Sequence, residues 1–312
     1  TMVTTAIRRG SGCGWHRGRW KSCGYRMTDL SRILLATDLD GTFFGAGGTL
    51  LERNLRAVDD FKAAGGRFTV ATGRIHRDIL RVIPGAATLF NAPAILANGA
   101  CLYDFSAERI LSEQRMEPTL VRAVVRSVGQ YARAHGEEVG VRVSAAEGIF
   151  PDPESRNPYI RKDMQSAACS GAALTVSPDG EQMEELHLYK IVVRGEADAI
   201  ARVRPLVEAE FGTALTYTSS HPRFFEMNAA GCDKGHGLRR LADWYRGTFG
   251  YEPVTVAAGN YENDLSMLRA ADIAGCPSDA QELVRPTCRF ILCPFQEGSI
   301  ADLIGRLRAM PA

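Results

Sequence analysis

Two aspartates two positions apart, Asp38 and Asp40, close an apolar run at 32–40 and are followed by Gly41 and Thr42. Acids at i and i+2 of a continuing strand point the same way, and a glycine after them permits a sharp turn. One such carboxylate can act as nucleophile while its neighbour serves as general acid and base. With backbone carbonyls the pair also offers the hard oxygens that Mg²⁺ prefers. An EF-hand loop must close on a glutamate, but the residue at that place, counted from Asp38, is Thr49. A plain acidic turn stays open on this segment alone. Three further segments keep it company. Thr72-Gly73-Arg74 follows a second apolar run, where a hydroxyl and backbone N–H groups at a helix start can hold a phosphate. Lys234-Gly235 opens a helical stretch, and Gly259-Asn260-Tyr261-Glu262-Asn263-Asp264 ends a strand-like run and starts a helix. Taken singly these read as a turn, a solvated lysine and a helix cap. Together they place four polar clusters at strand ends or helix starts.

The elements that must position them alternate. After the run at 32–40, Leu51, Leu55, Val58 and Phe61 mark one helical face, stopped by Gly65-Gly66. A β-like run at 67–73, a short helical stretch with Ile75, Ile79 and Val82, and a third run at 93–100 follow. The pattern returns late in the chain. Leu238, Leu241 and Tyr245 mark a helix, 252–260 a strand, and Leu265 the start of another helix; two short strands and a closing helix complete it. Continuous apolar strands alternating with helices predict an α/β domain, Rossmann-like, with a parallel sheet covered on both faces. Ligands of such sheets bind outside the carboxyl ends of the strands.

Between residues 111 and 222 the texture changes. A long amphipathic helix through Leu120, Val124, Val128 and Tyr131 leads into a polar, proline-broken stretch, then a strand around 188–194, a helix through 211 and one or two strands. The organisation expected is therefore an arm at 1–28, a core at 29–110 and 223–312, and an inserted α+β cap at 111–222.

Composition narrows the function classes. Hydrophobic residues are 45% and charged residues 23% of the 312-residue chain, ordinary values that exclude disordered, collagen-like and coiled-coil classes. No apolar run reaches the ~18 residues of a membrane span. A net charge of +1 gives no electrostatic case for a nucleic-acid or membrane partner. Six cations and no acid fall within 1–26, a segment read as disordered, or as upstream sequence with Met27 as the start, in preference to a nucleic-acid arm. Outside it Cys101, Cys169, Cys232, Cys276, Cys288 and Cys293 are scattered, without C-x-x-C, which predicts reduced thiols and a cytoplasmic setting. Cys288 and Cys293 suit the ends of a buried strand. His187 and Tyr189 alternate along an expected cap strand and read as structural in preference to substrate contacts, and Phe224, Phe225 and Met227 read as core or hinge packing. Gly45, Gly47 and Gly48 lack the ending of a P-loop and read as a flap beside the site.

The chain resembles a haloacid-dehalogenase-superfamily phosphatase of the Cof-type (subclass IIB) branch over about 31–312, with "DLDGT", "VATGR", "GCDKG" and "GNYENDLSML" as its four motifs. The resemblance implies that Asp38 attacks phosphorus to form an aspartyl-phosphate and that Asp40 protonates the leaving alkoxide and then activates water. Lys234 balances the charge, and Thr72, Gly73 and Asn263 hold phosphoryl oxygens. Asp38, Asp40 through its carbonyl, Asn260 and Asp264 would hold Mg²⁺. The family's fourth motif usually begins Gly-Asp, and Asn260 stands in place of that acid, so weaker metal binding is expected. Ser278-Asp279-Ala280 replaces the usual Gly-Asn-Ala. The implied activity is Mg²⁺-dependent hydrolysis of a small phosphorylated metabolite, a sugar phosphate or a phosphorylated cofactor. A phosphomutase or phosphotransferase, and a phosphate-ligand binding protein weakened at Asn260, are the alternatives.

Overall fold

A computed structural model describes residues 30–151, 155–169, 171 and 181–310; the arm expected at 1–28 lies outside them. Strands β1 (Ile33–Thr37), β2 (Arg67–Val70), β11 (Val254–Ala258), β12 (Ile273–Pro277) and β13 (Phe290–Leu292) form a parallel sheet in the order β13-β12-β11-β1-β2. A single parallel bridge, Ala71 to Ile95, joins this edge to β3 (Ala94–Leu96), which turns back through β4 (Cys101–Asp104) and β5 (Arg109–Glu113) as an antiparallel ribbon.

Alternation along β1 explains the double cover. Ile33 and Leu35 pack with α1 (Glu52–Ala63) and α9 (Ser299–Ala309) through Val58, Phe61, Leu303 and Leu307. Leu34 and Ala36 face the opposite side, against Leu238, Leu241 and Tyr245 of α7 (Lys234–Phe249) and Met267 and Leu268 of α8 (Leu265–Ala270). Short helices α2 (His76–Val82) and α3 (Ala86–Leu89) follow β2. The α/β expectation holds, with one adjustment. The strand between Cys288 and Cys293 is an edge strand whose Ile291 is 42% exposed, so it is not buried.

The second sheet is antiparallel, ordered β7-β6-β8-β10-β9, from β6 (Gly140–Ala145), β7 (Ile149–Pro151), β8 (Leu188–Arg194), β9 (Leu215–Thr218) and β10 (Phe224–Ala229). One face carries Val143, Ile191, Val193, Phe225 and Met227 beneath α4 (Pro118–His135) and α6 (Ala197–Phe211). The period of two then puts Arg142, Lys190, Arg194 and Glu226 on the other face, where register aligns Arg142 and Glu226 with Val192. That charged face turns to the parallel sheet. β10 belongs to this sheet although the sequence boundary fell at 222, and the chain returns to the parallel sheet only after Ala229. Strands β6 and β7, just before the polar, proline-broken stretch, and helix α5 (Pro158–Cys169), at its end, were not anticipated.

Candidate active site

Asp38 follows β1 directly, and its amide donates to the Ala258 carbonyl at 2.8 Å, so the ends of β1 and β11 are held together. Gly41 then adopts φ +77°, and a Cβ there would lie 2.4 Å from Asn260 Nδ2. The glycine thus lets the Asp38–Thr42 loop meet the loop that follows β11, and Thr42 Oγ1 donates to Asn260 Oδ1 at 3.3 Å.

Lys234 opens α7 and is fully buried, with Nζ donating to Asp38 Oδ1 at 2.6 Å and to Asp264 Oδ1 at 2.7 Å. Burial pulls this ammonium down, but the two carboxylates outweigh it and hold its pKa above the ordinary lysine value. Burial pushes the Asp38 carboxyl up to about 7; Lys234 opposes the rise, while Asp264 and Asp40 add to it. Asp40 is exposed by comparison and sits in a bidentate pair with Arg74, whose Nη2 donates to its oxygens at 2.9 and 2.8 Å.

Asp38, Asp40, Thr72, Gly73, Asn260 and Asn263 all line one cavity of about 570 Å³ between the two sheets. Asp264 does not. Its side chain is fully buried, one oxygen is taken by Lys234, and the other accepts from the amides of Asn260 at 2.8 Å and Tyr261 at 3.0 Å. The structure gives it the role of counter-ion and turn brace instead of the metal ligand that was expected. Gly259 makes that brace possible, because a Cβ there would fall 2.5 Å from Asp264 Cβ.

The residues present fit a hard divalent cation. Asp38 spends one oxygen on Lys234, and Asn260 Oδ1 accepts a long bond from Thr42; both face the cavity. Among the described residues no three His, Cys, Asp or Glu side chains cluster to hold a metal by themselves. One carboxylate, an amide oxygen and a carbonyl make the sparse, all-oxygen set that Mg²⁺ accepts when water and a phosphate complete it.

Sequence reasoning missed a second polar group under the cavity. Lys190 of β8 is 2% exposed and donates to the Gly73 carbonyl at 2.8 Å and to Glu226 Oε2 at 3.2 Å. Glu226 also accepts from Asn98 at 2.5 Å and Ser220 at 2.6 Å. Burial raises the Glu226 carboxyl, yet Lys190, Ser220 and Asn98 together hold it down at about 2. The signal was available: a lysine in the apolar run "LYKIVV" and a glutamate in "FFEM". His187 and Tyr189 instead both bond to Glu113 and do not line the cavity, while Phe225 and Met227 are core and Phe224 faces the cavity.

A profile of the haloacid dehalogenase-like hydrolases matches residues 35–304. Pyridoxal phosphate phosphatase YbhA of Escherichia coli K12 is 23% identical over 88% of this chain and 98% of its own. The Bacillus subtilis 5-amino-6-(5-phospho-D-ribitylamino)uracil phosphatase YwtE is 24% identical over 88% and 97%. A haloacid dehalogenase-like hydrolase of known structure from Bacteroides thetaiotaomicron superposes with a TM-score of 0.70 at 23% identity, covering 88% of this chain and 98% of its own. The chain belongs to the haloacid dehalogenase-like hydrolases, in their Cof-type branch, and is an enzyme of the phosphatase kind.

Proposed function

We propose that this enzyme hydrolyses a small phosphorylated metabolite with the help of Mg²⁺, by way of an aspartyl-phosphate on Asp38. The observation that carries the reading is the buried Lys234 bridge between Asp38 and Asp264, beside a cavity that Asp38 lines together with Asp40, Thr72, Asn260 and Asn263. Bound Mg²⁺, held by Asp38, the Asp40 carbonyl and Asn260, would neutralise phosphate charge. Thr72 Oγ1, the Gly73 backbone and Asn263 supply donors for the phosphoryl oxygens. Asp38 forms the new bond to phosphorus as the ester P–O bond breaks, and Asp40 gives the leaving alkoxide a proton. Water then attacks the acyl phosphate, Asp40 takes its proton, and inorganic phosphate leaves. A phosphate entering beside Asp38 competes with Asp40 for Arg74, which frees Asp40 for these transfers. Lys234 needs no movement for either step, in keeping with a reaction driven by fixed electrostatics. The relatives' names, a pyridoxal phosphate phosphatase and a phosphoribitylaminouracil phosphatase, support a phosphorylated cofactor or sugar phosphate as substrate.

The test is release of phosphate from p-nitrophenyl phosphate under a Mg²⁺ titration, with Asp38→Asn as the blank. Saturable, Mg²⁺-dependent release that disappears in the variant is expected. Release that survives Asp38→Asn defeats the reading. Asn260 favours a second one, a phosphate-ligand binding protein, which would be stabilised by sugar phosphates without turning them over.

A further inference from the structure

The charged face of the antiparallel sheet carries more positive charge than catalysis at Asp38 requires. Its Lys190–Glu226 pair is closed on itself. Apart from that pair, this wall of the cavity presents Arg142, Lys162, Arg194 and Arg223 against a single carboxylate among the described residues, Asp163. Arg194 Nη1 donates to both Asp163 oxygens at 2.6 and 2.7 Å, and Arg142 Nε lies 2.9 Å from the same carboxylate. Two guanidinium groups, with side chains only 9% and 15% exposed, therefore share one negative charge. Burial and the neighbouring Arg142 both pull the Arg194 pKa below its ordinary value, as expected of a surplus cation. Arg223 has a partner outside the cavity, Glu196 at 3.2 Å, whereas Lys162 has no ion-pair partner among the described residues.

Geometry fixes where the surplus points. The Arg194 guanidinium lies 3.8 Å from the Phe224 ring centroid and 5.6 Å from that of Tyr159, so its plane is clamped. Its Nε is buried without a hydrogen-bond partner among the described residues. A buried, uncompensated positive charge is costly unless something else neutralises it. A planar, pre-oriented guanidinium pair suits a carboxylate or phosphate oxygen fork.

We propose that this wall receives a second anionic group, so that the substrate is a phosphomonoester carrying a phosphate or a carboxylate at the end remote from the scissile bond. The inference rests on the phosphatase reading for the first phosphate, and it assigns Arg142, Arg194 and Lys162 to recognition of the second anion.

The experiment compares kcat/KM for glucose 6-phosphate, 6-phosphogluconate and glucose 1,6-bisphosphate, with p-nitrophenyl phosphate as a probe of turnover itself. One charge-assisted contact predicts a preference of about ten- to hundredfold for a member with a second anionic group over glucose 6-phosphate. The two arms with a second anionic group tell a carboxylate from a phosphate. The preference should fall about tenfold in Arg142→Gln and in Lys162→Gln, the latter an exposed residue whose loss does not threaten folding, and persist in Arg202→Gln, remote from the cavity. Turnover of p-nitrophenyl phosphate with no preference for a second anionic group, or a preference that survives both cavity variants, overturns the inference and leaves the phosphatase reading standing. If nothing is turned over, that reading fails by itself. Melting temperatures then decide: a larger rise with the bisphosphate than with the monophosphate, lost in Lys162→Gln, supports the second-anion site, and equal rises overturn it.

Discussion

Replacing Lys190 by Met should cost far more than its distance from Asp38 suggests. The ammonium is the only cation within bonding distance of the buried Glu226 carboxylate among the described residues, and it also anchors the Gly73 carbonyl. Removing it leaves a buried carboxylate with two neutral donors, a change that typically costs about 3–5 kcal/mol. The pKa gives an independent figure. A carboxyl lowered from 4.5 to about 2 corresponds to about 3 kcal/mol of preference for the charged form. Its sign fixes the pH window: the folded-state value is depressed, so this stability is complete above pH 4.5 and drains away as pH falls towards about 2. Lys190 is itself pulled below its ordinary value by burial, in spite of Glu226, so the pair as a whole contributes less than either deletion costs. A double-mutant cycle separates the two quantities. By urea unfolding near pH 7, Lys190→Met and Glu226→Gln should each destabilise, by about 3–5 and about 2–3 kcal/mol, while the double variant falls short of their sum by about 2 kcal/mol. The wild-type midpoint should drop between about pH 5 and about pH 3 more steeply than that of Glu226→Gln. Phosphate release by Lys190→Met should also fall about tenfold or more, because the loop beside Thr72 loses its anchor. Penalties that add within about 0.5 kcal/mol, together with a pH dependence that Glu226→Gln leaves unchanged, would refute the reasoning.

The remaining expectations concern the loop after β11. Asn260→Asp should lower the Mg²⁺ concentration for half-maximal phosphate release about tenfold, since a carboxylate replaces a neutral amide in the proposed ligand set; an unchanged titration would remove Asn260 from that set. Asp264→Asn takes away one of the two carboxylates on Lys234 and should cost about 3–5 kcal/mol in urea unfolding, with loss of turnover. Gly259→Ala forces a methyl to within 2.5 Å of Asp264 and should destabilise by about 1–3 kcal/mol; a midpoint equal to wild type would show that the loop yields without strain.

The parallel sheet was legible because its strands are nearly all apolar and its two central ones end in polar clusters: Ile33–Thr37 in Asp38 and Val254–Ala258 in Gly259-Asn260. The family resemblance, not spacing alone, singled out Asp38 and Asn263, which line one cavity, and Lys234, which is buried against Asp38. Where reading failed, a long-range contact decided. Asp264 was named a ligand by the family resemblance, but the tight turn brings its two oxygens onto Lys234 and onto the Asn260 and Tyr261 amides. β6 alternates Val141 and Val143 with Arg142 and Ser144, a legible strand pattern that was passed over, whereas β7 is only three residues long and carries no periodicity. Lys190 and Glu226 violate the apolar pattern of their own strands, and only each other and the loops after β2 and β3 make sense of them.

Those partners bear on how the cavity is held. Lys190 of the antiparallel sheet bonds to Gly73 on one side, and the Ser219 carbonyl accepts from the Asn263 amide at 3.2 Å on the other. Arg204 of α6 reaches Glu262 at 3.0 Å, one residue from Asn263, and Asn228 donates to the Ala97 carbonyl at 2.9 Å beside Asn98. Each loop proposed to grip the phosphate is therefore tied to the inserted sheet by its backbone, not merely covered by it. A shift of that sheet cannot leave Gly73 and Asn263 where they are, so the sheet proposed to select the far end of a substrate also sets the geometry at the near end. Substitutions on its charged face should accordingly change kcat as well as KM, the signature of binding energy used to position the reacting phosphate.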